Sequence, residues 1–387
     1  MVKNFHSKQF DEGTQVKLEL LRLYLKSWIP VFIEKKEAFW KEIYIYDFFA
    51  GEGMDIKGSY GSPLLILDEI KNYCPTIVKK GFKVKFLINE YNSKKNSILK
   101  SKIDYFFESC RKKQKFSCCA ICNQTNECPF DVNIKQEDFQ TLFNYIFPDL
   151  ITNNYFPRFM FIDQFGIKQV TNEIFSKLTS LKRTDFLFFI SSSFVRRFSE
   201  LSDFQKYLDL SREVFDENKP DHCHRIILDY YRKVIPKNKT YFLAPFSIKK
   251  GSNIYGLIFG SNHPLGMEKY LDAAWKIDKN TGEANYNIDD DSIIKTPQLS
   301  IFSEDNIVKK LDVFKKKLEN WLKNSTRTNE EIYLFAILNG MRKIHANNIL
   351  KDLYDNNKLD IIGNNIKKGS FYLSYKPQKL IKINFNE

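Results

Sequence analysis

Residues 43–53 read IYIYDFFAGEG: an unbroken apolar run interrupted by one aspartate, then two glycines one residue apart. A strand buried on both faces has this continuous apolar character, whereas a half-exposed strand alternates. Small residues follow where such a strand would end. Working outward, six further runs predict strands, at 84–89, 131–134, 158–165, 185–191, 239–246 and 253–261. Helical spacing fills most of the gaps, at 64–73, 93–112, 139–147 and 172–180, and follows the last strand at 266–277. This alternation predicts an open α/β sheet covered by helices. The expected organisation is an N-terminal helical segment (1–40), an α/β domain (41–280) with a Cys-rich insertion near 110–130, a polar linker (281–300) and a small C-terminal domain (301–387). Residues 14–40 fit one long or two short amphipathic helices, and no internal repeat is present.

In open α/β sheets ligands bind beyond the carboxyl ends of the strands, so the residues there are the candidates for chemistry. Asp47, Ala50, Gly51 and Gly53 form the first group: the small residues let backbone approach a ligand, and a helix N-terminus nearby supplies donors. With Gly61-Ser62-Pro63 opening the next helix, the D-x-F-A-G-x-G string resembles the first motif of S-adenosylmethionine-dependent methyltransferases. Glu90, ending VKFLINE, is placed to accept hydrogen bonds from ribose hydroxyls, or is a solvated strand-end acid; an extended loop from Asp55 to Gly61 must separate it from Asp47. Asp138 follows the third strand and either approaches an adenine or, the better reading, caps the helix that begins at Phe139.

The fourth strand ends in Phe161-Ile162-Asp163-Gln164-Phe165-Gly166. A carboxylate there suits methylation of an exocyclic amine. Asp163 accepts one amino hydrogen, a backbone carbonyl the other, and Phe165 stacks on the base. The alternative is an aspartate that caps the following helix and a phenylalanine in the core. Gln164, with Arg196 and Arg197 after the fifth strand, is grouped as a substrate contact, the arginines facing phosphates.

Together DFFAGEG with GSPLLIL, then FLINEYN, FIDQFG and YGLIFGSNHPLGMEKYLDAAWKID, over residues 41–280, resemble the three-Cys-motif partner (TcmP) family. That bacterial group is methyltransferase-like and Rossmann-type. The resemblance implies that fold, an S-adenosylmethionine cofactor and a methyl-transfer activity. The family usually carries Asp-Pro-Phe-Gly where this chain has Gln164, and the change removes a proline that would stiffen the turn. The same four residues occur in tRNA guanine dimethyltransferases. Asn262-His263-Pro264 also matches the family and reads as a turn.

Cys118, Cys119, Cys122 and Cys128, with Cys110 before them, could hold a structural zinc or stay as reduced thiols. The family's name refers to cysteines of a neighbouring protein, so it says nothing about these. Asp221-His222-Cys223-His224 mixes ligand types at a spacing that diverges on a helix, and reads as surface. The C-terminal runs 329–343 and 345–362, then 367–377 and 379–387, resemble a winged helix-turn-helix: two helices, then a two-stranded basic tail whose Lys367 and Lys368 would meet phosphates.

Composition sets the outer limits. Over 387 residues, 43% hydrophobic and 15% aromatic content supports a folded core, which excludes a disordered basic tail protein. No apolar run reaches the roughly 18 residues of a membrane span, and the polar N-terminus lacks a signal-peptide core. Seven clustered cysteines do not form a secreted disulfide framework. A cytoplasmic protein is expected. The net charge of +13 favours phosphate-bearing partners, although a Lys- and Asn-rich composition also raises it. Two functions follow: a methyltransferase acting on RNA or DNA at an exocyclic amine, or a non-catalytic protein that binds nucleic acid or a partner protein on a degenerate methyltransferase fold.

Overall fold

The computed structural model describes residues 9–35, 40–112, 128–164, 166, 168–191, 223–251, 253–286, 288, 310–362 and 370–386. They form two compact units, 1–262 and 263–387.

The first unit opens with helix α1 (Glu12–Ile33), one long helix capped by Asp11, whose side chain accepts from Thr14 N. Strands β1 (Glu42–Asp47), β2 (Lys83–Asn89), β3 (Phe130–Lys135), β4 (Arg158–Ile162), β5 (Thr184–Ile190), β6 (Phe242–Lys250) and β7 (Asn253–Ser261) form one sheet in the order β3-β2-β1-β4-β5-β7-β6. Strands β1 to β5 pair in parallel, while β7 runs antiparallel to both neighbours. The reversal has a local cause. Only Gly251 and Ser252 separate β6 from β7, and a two-residue connection can join only antiparallel strands. The wider sheet then demands a close approach at Gly260, where an added Cβ would lie 2.2 Å from the Phe186 ring. Helices α2 (Ser62–Lys71), α3 (Cys74–Lys79), α4 (Ser93–Lys112), α5 (Phe139–Thr152), α6 (Asn172–Ser180) and α7 (Cys223–Val234) cover the sheet. This is the Rossmann-like α/β class that the strand–helix alternation predicts. All five residues of β4 are buried, as its apolar run requires of a central strand.

α1 docks on the sheet through two polar contacts to one carboxylate. The Tyr24 hydroxyl and the Trp28 indole N–H donate to Asp185 Oδ2 at 2.7 and 2.8 Å, with Ser261 on the same carboxylate. Burial of Asp185 pushes its pKa up, and these hydrogen bonds offset part of that cost.

The second unit begins earlier than the sequence suggests. Helix α8 (Pro264–Ile277), expected in the α/β domain, packs with α9 (Lys310–Lys323), α10 (Asn329–Leu338) and α11 (Lys343–Asp355). Trp275 Nε1 donates to Gly340 O at 2.9 Å, and Arg342 pairs with Asp272. The start of the expected linker is also folded: Thr281, Ala284 and Ile288 are buried. Its polar residues build the turn, because the Asp278 carboxylate accepts from the amides of Asn280, Thr281, Glu283 and Ala284. Strands β8 (Arg327–Thr328), β9 (Leu359–Ile362) and β10 (Lys382–Phe385) form an antiparallel sheet in the order β8-β10-β9. The partner of β10 is therefore 359–362, read from sequence as helix, and not 367–377. Helix α11 stops before Asn357, which takes φ +56°, and Ile361 and Ile362 favour the extended chain that follows. Lys367 and Lys368 lie outside the described residues. Among the described residues no helix is long and apolar enough to cross a membrane.

Candidate active site

The strand order reverses between β1 and β4. This is the position at which a crevice opens beyond the carboxyl ends of a parallel sheet. Asp47 ends β1 in register with Phe161, and Asp163 stands just past the end of β4. The two carboxylates flank the switch point.

Asp47 is fully buried. Its Oδ1 accepts from Phe49 N at 3.3 Å, while Oδ2 has no hydrogen-bond partner among the described residues. Burial raises its pKa to about 7; the Ser62 hydroxyl and the Phe49 amide pull it back, and the Asp163 and Glu90 charges push it further up. The three acids therefore share one electrostatic neighbourhood. A buried carboxylate oxygen without a donor is costly, and that cost is what holds the pKa up.

The turn after Asp47 is left-handed at Gly51 (φ +62°) and Gly53 (φ +79°), conformations that side chains disfavour. Gly61 N donates to Gly53 O at 2.8 Å, and a Cβ at Gly61 would lie 3.2 Å from that same carbonyl group. Two glycines thus permit a backbone approach that fixes the start of α2. Between them, residues 55–60 are a closed loop. The Asp55 carboxylate accepts from the amides of Phe10, Lys57 and Ser59, and these bonds outweigh burial and lower its pKa. Ala50 N donates to Asn89 O, tying the turn to the end of β2.

Glu90 reaches back to the same turn. Its Oε2 accepts from Gly51 N at 2.9 Å and its Oε1 from Asn92 N at 2.9 Å. Each oxygen keeps further acceptor capacity, so a hydroxyl can still be bound there. Asn89 is buried and bridges Phe48 O with both backbone groups of Glu137, linking the loops after β1 and β3. Asp138 is exposed and caps α5, accepting from Thr141 N at 3.0 Å. The capping alternative describes this contact.

Gln164 is 1% exposed and its Oε1 accepts from the amides of Gln169 and Val170. The oxygen holds its own loop, while Nε2, also buried, has no hydrogen-bond partner among the described residues. The oxygen also answers the loss of the proline, since two hydrogen bonds now restrain the turn from the side. Asp163 Oδ2 is paired with Lys17 Nζ of α1. Gly166 takes φ +84°.

Phe165, Arg196, Arg197, Cys118, Cys119 and Cys122 lie outside the described residues. Cys128 is exposed, and no group of three or more metal-ligand side chains occurs among the described residues. His263 caps α8 through Leu265 N, consistent with a turn role. Lys17, Asn89 and Asp55 were not read from the sequence. For Lys17 a signal existed: it falls four residues before Leu21 and seven before Tyr24, on the buried stripe of α1.

The chain matches no protein-family profile, so the TcmP resemblance rests on its motifs alone. No curated protein matches it either. Similar solved structures include Trm1 from Pyrococcus horikoshii in complex with S-adenosyl-L-methionine (10% identity, TM-score 0.39, covering 71% of this chain). The chain spans 62% of that protein's length. A METTL16 methyltransferase domain lacking its N-terminus is similar at 12% identity and TM-score 0.29, over 63% of this chain and 83% of its own. An S-adenosylmethionine-dependent class I methyltransferase from Listeria monocytogenes is similar at 11% identity and TM-score 0.30, over 65% of this chain and 62% of its own.

Proposed function

We propose that the protein is an S-adenosylmethionine-dependent methyltransferase that modifies nucleic acid at an exocyclic base amine, on a chain related to the TcmP group. The observation that carries the reading is the pair Asp47 and Asp163 on either side of the switch point, with a double-glycine turn beneath. The residues fit the cofactor. Asp47 Oδ2 is a buried acceptor without a partner among the described residues, suited to an ammonium, and the turn that follows it takes left-handed backbone at Gly51 and Gly53. Glu90 has acceptor capacity for ribose hydroxyls. Three acids against Lys17 leave the site net negative, which complements a cofactor whose sulfonium and ammonium outnumber its carboxylate.

The cofactor supplies a methyl group on sulfonium, activated enough that alignment, not a strong base, limits transfer. Asp163 Oδ1 accepts one N–H of the acceptor amine and orients the nitrogen lone pair. After transfer the surplus proton leaves the nitrogen through Oδ1 to solvent, since Asp163 is 23% exposed. Support for a nucleic-acid partner is the charge of +13 and the helix–strand–helix–helix–strand–strand order of residues 310–385, the order of a winged helix.

Calorimetry with S-adenosylmethionine tests the reading first; absence of binding at millimolar cofactor rejects it in favour of a non-catalytic binding protein. If binding is present, tritium transfer from the cofactor into total cellular RNA, DNA and protein identifies the acceptor. Asp163→Ala should abolish transfer and leave cofactor affinity intact, and unchanged turnover would remove Asp163 from the mechanism.

A further inference from the structure

We infer that Lys17 is a positioning residue for this reaction: its ammonium holds Oδ2 of Asp163 and so presents Oδ1 to the acceptor amine. The inference rests on the methyltransferase reading above.

Asp163 stands where β4 has ended and ladder hydrogen bonds no longer restrain the chain. Gln164 ties the following loop to itself, but this acts on the backbone and leaves the aspartate side chain free to rotate. Lys17 supplies the missing restraint, contacting Oδ2 directly. Among the described residues, Oδ1 has no hydrogen-bond partner.

Lys17 is itself held. Its side chain is 11% exposed and its ammonium lies 5.0 Å from the centroid of the Phe189 ring on β5, which in turn stacks on Tyr255. Seven residues along α1, two helical turns away on the same face, Tyr24 is anchored to Asp185, and Trp28 follows one turn later. The helix is thus fastened to the sheet beside the lysine, and the lysine is fastened to ring and carboxylate.

Stability does not account for a lysine at this place. A shielded ion pair contributes little more than an apolar pair of the same volume, and position 17 lies on a stripe otherwise filled by Leu21, Tyr24 and Trp28. The pair does have a use in the site. Asp47 is a like charge near Asp163, and Lys17 is the cation in contact with Asp163 that offsets it. One oxygen of Asp163 is then neutralised and fixed, and the other is directed.

Five full-length proteins test the inference: the unaltered chain, K17M, K17R, D163N and K17M/D163N. Thermal unfolding without ligand reads the contact. Each of K17M and D163N should lower Tm by about 3 °C, and the double variant should fall no further than either; additive losses overturn the proposal. Transfer of tritiated methyl from S-adenosylmethionine into total cellular RNA reads the role. K17M should lower the saturated rate by about 100-fold, the cost of a misplaced group. The half-saturating RNA concentration and the cofactor Kd should stay within about 3-fold, and K17R should recover part of the rate. Coupled stability with an unchanged rate overturns the positioning role and leaves the methyltransferase reading standing. Failure of the unaltered chain to bind S-adenosylmethionine overturns both.

Discussion

Replacing Asp47 with asparagine should make the cofactor-free protein more stable at pH 8 while weakening its hold on S-adenosylmethionine. Burial moves this carboxyl from an ordinary 3.8 to about 7. At 1.36 kcal/mol per pKa unit, that carries roughly 4 kcal/mol as an upper bound. The sign follows from proton uptake. Between pH 4 and 7 the folded protein keeps a proton that the unfolded chain has lost, so stability falls as pH rises across that window. Above pH 7 the full cost of the buried charge is present; near pH 4 none of it is. The asparagine amide carries no charge and can still accept from Phe49 N, which lies 3.3 Å from Oδ1. With about 2–4 °C per kcal/mol for a domain of roughly 150–250 residues and somewhat less for a larger one, D47N should melt several degrees above the unaltered protein at pH 8. That gain should shrink steadily toward pH 5. Melting curves across this range, paired with calorimetry at pH 8, form the assay. Loss of a buried charge partner costs about 2 kcal/mol or more, so the cofactor Kd should rise at least about 30-fold. A D47N protein that melts lower at pH 8, or by the same margin at every pH, would refute the assignment of Asp47 as a buried, unsatisfied acid. Stability kept below its maximum for the sake of a ligand is the trade-off seen at many functional sites.

Gln164→Ala would strand the amides of Gln169 and Val170, at about 1–3 kcal/mol for a buried donor; urea unfolding should show the loss, and none would mean the loop is held by other means. Gly61→Ala would push a Cβ to 3.2 Å from the Gly53 carbonyl group, and calorimetry should report weakened cofactor binding even where the fold survives. Asp185→Ala leaves the Tyr24 hydroxyl and the Trp28 indole without their acceptor, about 1–3 kcal/mol for each. Proteolysis should then cut within α1 first, and an α1 as resistant as before would count against the docking described here.

Much of the first unit was legible because its signals are local. Seven apolar runs became seven strands, with ends shifted by a few residues, since central strands advertise burial on both faces. The double-glycine turn and the Asp138 cap were also readable, both being matters of a few neighbouring residues. Two local signals misled. Residues 281–284, at the start of the expected linker, are folded because Asp278 gathers four amides into a turn, so composition mimicked a linker. Residues 359–362 read as the tail of a helix because their apolar spacing continued that of α11, and the positive φ at Asn357 that breaks it has no unique sequence sign.

The sequence by itself determined the class of sheet, the placing of Asp47, Glu90 and Asp163 at strand ends, and the chemistry such acids can offer. Periodicity and strand-end position depend on backbone geometry within a few residues, and that information is written in order along the chain. Only the tertiary structure decided what each acid meets. Lys17 reaches Asp163 across 146 residues of sequence, Tyr24 reaches Asp185 across 161, and Gln164 turns inward to its own loop. The first two contacts depend on how α1 lies across the sheet, and that is settled by the summed burial of its apolar stripe, which no single residue reports.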